Sequence, residues 1–141
     1  MREKVMEKRK INNKGFSMVE LIIVIAIMAV LIGILAPQYL KYVQQSKVST
    51  DIQNAQQMAT AINVAIADPT VTITGISSGD ALTAGSAIGG IAGFTTVPAS
   101  KVDPDRDWKI TWDTTNGVSK IEIETATGTW TEVYPNSTSY N

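Results

Sequence analysis

Between Leu21 and Ala36 lie sixteen consecutive residues without an ionisable side chain, and one carboxylate, Glu20, stands directly at the head of that run. Phe16 to Ala36 is twenty-one residues, about 31 Å as an α-helix, which matches a hydrocarbon core of about 30 Å. An uncompensated acid in such a segment costs on the order of 2.5–3.5 kcal/mol even on a lenient insertion scale. The next cation downstream is Lys41. Glu20 therefore needs a partner, and an amine made by cutting the chain between Gly15 and Phe16 would supply one.

Charge is divided along the chain in a way that fits export. Residues 1–15 carry six basic side chains (Arg2, Lys4, Lys8, Arg9, Lys10, Lys14) against Glu3 and Glu7, a net +4, whereas the remainder is net −5. A basic head before an apolar run stays on the cytoplasmic side while the chain downstream of the run is exported. An acidic remainder without clustered Lys or Arg argues against nucleic acid as a partner. There is no cysteine, so disulfides, thiolate metal ligands and a thiol nucleophile are excluded; there is no histidine, which removes the commonest general base and metal ligand. The pattern does not favour an enzyme and implies no cofactor.

Three readings compete for the first 37 residues. A secretory signal would be cut at the far end of the apolar stretch after small residues, but Leu35-Ala36 before Pro37 makes a poor site and leaves Glu20 at an odd place. A plain membrane anchor accounts for length and apolarity but gives neither Glu20 nor the Lys14-Gly15-Phe16 junction a role. The third reading explains both. Gly15 lets a protease approach the backbone where the basic head meets the apolar helix, and the cut leaves a cationic amine on Phe16, four residues before Glu20.

Lys14-Gly15-Phe16-Ser17-Met18-Val19-Glu20, followed by an uninterrupted apolar helix and Pro37, resembles the prepilin signal of type IV pilins and their pseudopilin relatives. The resemblance covers roughly residues 8–66, and beyond them it concerns architecture alone. It implies that a membrane prepilin peptidase cuts after Gly15 and N-methylates Phe16. It also implies that Glu20 pairs with the Phe16 amine of a neighbouring subunit, and that Pro37 is the proline of the family's helix kink. The chain departs from the pattern in having Ala29 where the family often has glycine, and Gly33 inside the run instead. The alternative is a self-contact, since the Phe16 amine and Glu20 of one helix are a single turn apart; because buried ion pairs are better attested as register devices than as sources of stability, Glu20 is expected to set the axial stagger of packed subunits.

Past Pro37 the pattern turns amphipathic. Val48, Ile52, Ala55, Met58 or Ala59, Ile62 and Ile66 recur at helical spacing, with Gln44, Gln45, Asp51, Gln53, Gln56, Gln57 and Thr60 on the other side. Asp68-Pro69 stops the helix, which is expected to run from about Ser17 to Ala67, roughly 75 Å. Lipid can cover its inner half before assembly and other copies of the chain after it.

Six of the ten glycines fall between Gly75 and Gly93, so residues 69–107 read as a Gly-rich surface connection with one short helix at about Asp80–Ala87, capped by Asp80 or Ser78. From Trp108 the period becomes two. Trp108, Ile110 and Trp112 alternate with Lys109 and Thr111, and Ile121 and Ile123 with Lys120, Glu122 and Glu124. Asn116-Gly117 and Thr127-Gly128 supply turns. Trp108, Trp112 and Trp130 are the expected apolar anchors of a domain that has no disulfide. Asp103, Asp105 and Asp107 form a weak candidate calcium site, without the glycine and distal glutamate of a known loop motif and with Arg106 beside them; a solvated turn is the expected outcome. Asn136-Ser137-Thr138 fits a glycosylation acceptor pattern, but so short a match recurs by chance and reads as tail.

The fold expected is α+β: a long N-terminal helix, membrane-spanning in its first half and amphipathic in its second, packed on a small three-stranded antiparallel sheet. The parts are a cleaved leader (1–15), a hydrophobic helix (16–37), an amphipathic helix (38–68), a connecting loop (69–107), the sheet (108–134) and a polar tail (135–141). The resemblance implies a structural subunit polymerising into a surface filament for adhesion, motility or related functions. The alternative is a pseudopilin of a secretion or DNA-uptake apparatus. Implied partners are other copies of the chain, the prepilin peptidase, an assembly platform with its motor proteins, and membrane lipid before assembly. The implied location is the cytoplasmic membrane first, with the N-terminus inside, and the extracellular pilus afterwards.

Overall fold

The computed structural model describes residues 15–91 and 93–140; they divide into two units between Tyr39 and Leu40. Residues 1–14 of the expected leader, Lys14 included, lie outside the described residues. The elements are helix α1 (Met18–Ala67) and strands β1 (Ala81–Leu82), β2 (Trp108–Asp113), β3 (Gly117–Ala126) and β4 (Thr129–Tyr134).

In the first unit the chain is helical from Met18 onward, and its apolar side chains from Leu21 to Leu35 are exposed on every side. Pro37 lies inside α1. A helical proline lacks the amide that would bond the carbonyl four residues back and crowds that carbonyl with its ring. That carbonyl belongs to Gly33, so the two residues least suited to a helix interior act on the same turn.

In the second unit, Val48, Asp51, Ala55, Met58, Ala59, Ile62 and Ala65 of α1 are buried. The apolar ones join Trp108 and Ile110 of β2, Val118, Ile121 and Ile123 of β3 and Val133 of β4 in one core. Helix and sheet each bury the apolar face that the other leaves open. The sheet is antiparallel throughout, in the order β1-β2-β3-β4. Trp108 faces Ile123 and Ile110 faces Ile121, so buried residues sit opposite buried residues across β2 and β3.

The turn between β2 and β3 is fixed by Asp113, whose Oδ1 accepts the amides of Thr115 (2.7 Å) and Asn116 (2.6 Å). The Asn116 backbone and side chain, then the Thr115 amide, hold the Asp113 carboxyl below its ordinary range. Gly117 comes next with φ of 79°, a conformation that costs glycine little. A Cβ there would also run into the side-chain amide of Asn63 on α1, whose Oδ1 accepts the Val118 amide at 2.7 Å.

Several expectations need correction. The sheet has four strands, because Ala81 and Leu82 pair with Lys109 and Trp108 as β1; they do not begin a helix. Gly79 and Gly85 bracket this strand at positive φ, and Leu82 is buried, so edge pairing with one apolar anchor outweighs the helical tendency of Ala-Leu. The segment 69–107 is more than a surface connection. It buries Ile76, Leu82, Ile88, Ile91 and Val97 in the core, held by bridges between Thr74 and Gly89 and between Ala87 and Thr96. Of the three tryptophans only Trp108 is fully buried, its indole N–H donating to the Pro98 carbonyl at 2.8 Å. A break in register between Thr111 and Trp112 leaves Trp112 half-buried. Trp130 pairs with Glu124 on the face away from the core, and the Lys109 ammonium stands 3.9 Å from its ring centroid.

Candidate functional site

Gly15, Phe16 and Ser17 precede the first turn of α1 and are exposed. A side chain on Gly15 would meet nothing within 4 Å among the described residues. Phe16 is 91% exposed. The helix begins with Ser17 as its cap, since the Ser17 carbonyl accepts the amide of Leu21 at 3.2 Å. Ser17 Oγ accepts the Val19 amide (3.3 Å), and Glu20 Oε2 accepts the Ser17 amide (2.9 Å). The Glu20 side chain thus makes its half of a Ser-x-x-Glu capping box, while the Ser17 hydroxyl caps the amide of Val19, one position earlier than that of Glu20. A carboxylate in the first turn also faces the positive end of the helix dipole.

The hydrogen bond from the Ser17 amide turns the Glu20 carboxylate back over Ser17, the residue after Phe16. Behind this head the exposed apolar wall from Leu21 to Leu35 has no partner among the described residues. A surface of that extent, of Ile, Leu, Val and Met, belongs in lipid or against other apolar helices.

Asp103, Asp105 and Asp107 do not gather into a metal site; no cluster of three or more acidic side chains suited to a metal occurs among the described residues. Asp103 bonds Arg106 instead, with Nε 3.3 Å from Oδ2, and its Oδ1 accepts the Asp105 amide. Asp103 therefore stabilises a turn, with Arg106 neutralising it.

The residue that sequence reasoning missed is Asp51. Its expected place is the solvent side of the amphipathic helix, and it is fully buried. Its Oδ2 accepts the hydroxyls of Ser100 (2.6 Å) and Tyr140 (2.8 Å) and the Val102 amide (3.3 Å), and its Oδ1 accepts the Lys101 amide (2.6 Å). A buried carboxylate persists only when so many donors replace its water. Burial first, then the bond to Asp51, pushes the Tyr140 phenol well above its ordinary range. The polar tail is thus pinned through Tyr140. A signal existed in the spacing: Val48, Asp51, Ala55, Met58, Ile62 and Ala65 recur at intervals of three and four, and Asp51 occupies a seam position within that row.

Comparison with known proteins adds to this geometry. Residues 10–36 match the family described as "Prokaryotic N-terminal methylation motif". Among curated proteins, three sequences of the type IV major fimbrial protein FimA from Dichelobacter nodosus are each 44% identical over 55 residues. The aligned stretch is 39% of this chain and 34–35% of each relative, so the chain matches about a third of their length. No solved structure gives a significant match.

Proposed function

We propose that this chain, a type IV pilin by its N-terminal methylation motif and its likeness to major fimbrial protein, is a structural subunit that polymerises through its N-terminal helix into a surface filament. One observation carries the reading. A carboxylate, Glu20, heads a helix whose apolar residues from Leu21 to Leu35 are exposed on all sides, directly after the Gly15-Phe16 junction. Lipid serves as the first cover for that wall, and the helices of other copies serve as the second.

In this reading a prepilin peptidase cuts between Gly15 and Phe16 and methylates the new amine. The basic leader keeps the N-terminus on the cytoplasmic side while residues 40–141 are exported. The Phe16 ammonium of an incoming subunit docks against Glu20 of a neighbour and marks register as the apolar walls close. Gly33 and Pro37 localise whatever loosening the helix needs to pack in the filament. The second unit supplies the outer surface and contributes no chemistry of its own. An assembly platform with its motor extracts subunits from the membrane, and the finished filament serves adhesion or motility.

The test is electron microscopy of cells that make the chain, compared with cells deleted for it. The reading expects long surface filaments that disappear on deletion and return on complementation. Filaments unaffected by the deletion would contradict it.

A further inference from the structure

The turn between β2 and β3 holds the one Asn-Gly pair in the chain, Asn116-Gly117. Its backbone demands the glycine. Gly117 has φ of 79°, and a Cβ there would run into the side-chain amide of Asn63, which accepts the Val118 amide at 2.7 Å. That demand has a chemical consequence. Glycine carries no side chain to screen its own nitrogen, so the carbonyl carbon of a preceding asparagine side chain can reach that nitrogen without obstruction. Asn116 is also exposed and within reach of water.

The same turn holds the asparagine in place. Asn116 N donates to Asp113 Oδ1 at 2.6 Å, and Asn116 Nδ2 donates to Asp113 Oδ2 at 3.0 Å. Both nitrogens of Asn116 are thus turned to one carboxylate. The two bonds from Asn116, then the Thr115 amide, keep that carboxyl below its ordinary range, and a charged acceptor makes the stronger kind of hydrogen bond.

We propose that Asn116 is a site of spontaneous deamidation and that Asp113 is the positioning residue that holds it in check. In the reaction the Gly117 nitrogen attacks Asn116 Cγ. A new C–N bond forms, the Cγ–Nδ2 bond breaks, and Nδ2 leaves as ammonia with the proton of the Gly117 amide. Water then opens the cyclic imide. Opening at Cγ gives aspartate. Opening at the Asn116 main-chain carbonyl carbon gives isoaspartate, whose backbone runs through the former side chain and is longer by a carbon. Attack needs Cγ over the Gly117 nitrogen, and Nδ2 must leave Asp113 to bring it there. Either product sets a second carboxylate against Asp113, so repulsion replaces a bond. The lengthened backbone also displaces the start of β3, where Val118 meets Asn63.

The test is peptide mapping by mass spectrometry of the full chain, kept in detergent micelles at mildly alkaline pH and sampled over time. Electron-based fragmentation tells isoaspartate from aspartate. Conversion is expected at Asn116 ahead of Asn54, Asn63 and Asn136, with isoaspartate among the products, and amide exchange at Val118 should quicken in the modified fraction. Asp113→Asn keeps an oxygen for the Thr115 and Asn116 amides but places an NH2 where Oδ2 accepted Nδ2. Its conversion should rise about fivefold, the population change for one lost hydrogen bond, while Val118 exchange in the unmodified chain keeps the wild-type rate. Gly117→Ala loosens the hairpin and should nevertheless suppress conversion, because the added methyl screens the nitrogen. A wild-type chain in which Asn116 converts no faster than the other three would overturn the site. Equal conversion in wild type and Asp113→Asn would overturn the guard, as would a rise matched by an equal rise in Val118 exchange, which would assign Asp113 to the stability of the turn alone.

Discussion

Tyr140 donates its phenolic proton to Asp51 across 2.8 Å, joining the end of the described chain to a buried position on α1 that lies 89 residues earlier. The same carboxylate holds Ser100, Lys101 and Val102. One acid on the helix thus fastens two separate segments of a domain that has no cysteine to crosslink them. The contact is polar near the start of an otherwise apolar seam, so its members stand or fall together.

Replacing Asp51 by Ala leaves two buried hydroxyls and two amides without their acceptor. The expected loss is about 3 kcal/mol of unfolding free energy, read by denaturant unfolding of the full chain in detergent. Amide exchange at Lys101 and Val102 should accelerate in step. Asp51→Asn keeps the volume but puts an NH2 among donors, and should recover only part of the loss.

Tyr140→Phe removes a single donor and should cost about 1 kcal/mol at neutral pH. The raised phenol adds a pH signature. In the folded chain the proton is held above the ordinary Tyr range, whereas the unfolded chain releases it near pH 10. The contribution is complete below pH 10 and declines as pH rises from there, because the unfolded state then binds fewer protons. Stability of the wild-type chain should fall between about pH 10 and 12, more steeply than that of Tyr140→Phe.

Asn63→Ala deprives the Val118 amide of its acceptor at the start of β3. The expected cost is about 1–2 kcal/mol, seen in unfolding of the full chain and in faster exchange of the Val118 amide. Gly117→Ala should cost a similar amount through its positive φ and its approach to Asn63.

Glu20→Gln keeps the size and much of the capping geometry but cannot form an ion pair. The variant is expected to insert and be cut to the same extent as the wild type, and its filament yield to fall to a small fraction. Immunoblots for the cut and counts of filaments by electron microscopy separate the two steps. Wild-type filament yield from this variant would contradict the role assigned to Glu20.

Much of the molecule is legible because its signals are local. The sixteen-residue run and the Asp68-Pro69 stop announce the long helix, and the period-two alternation after Trp108 announces the sheet. The Ser17…Glu20 spacing announces the start of α1. The hidden parts depend on contacts distant in sequence. Nothing local says that Asp51 will meet Tyr140, or that Ala81-Leu82 will find the edge of β2. The apolar residues of 69–107 are spread among glycines, so no period reveals that five of them reach the core. The Ser17-x-x-Glu20 box is readable as a capping motif, but the charge of the carboxylate at the head of an apolar run is the louder signal and masks its hydrogen bond.

The most direct test of the central claim is the mass of the mature chain isolated from cells that contain a prepilin peptidase. A chain beginning at Phe16 and carrying one methyl group on its amine is the predicted result. A mature chain that still begins at Met1, or one cut beyond Ala36, would contradict it.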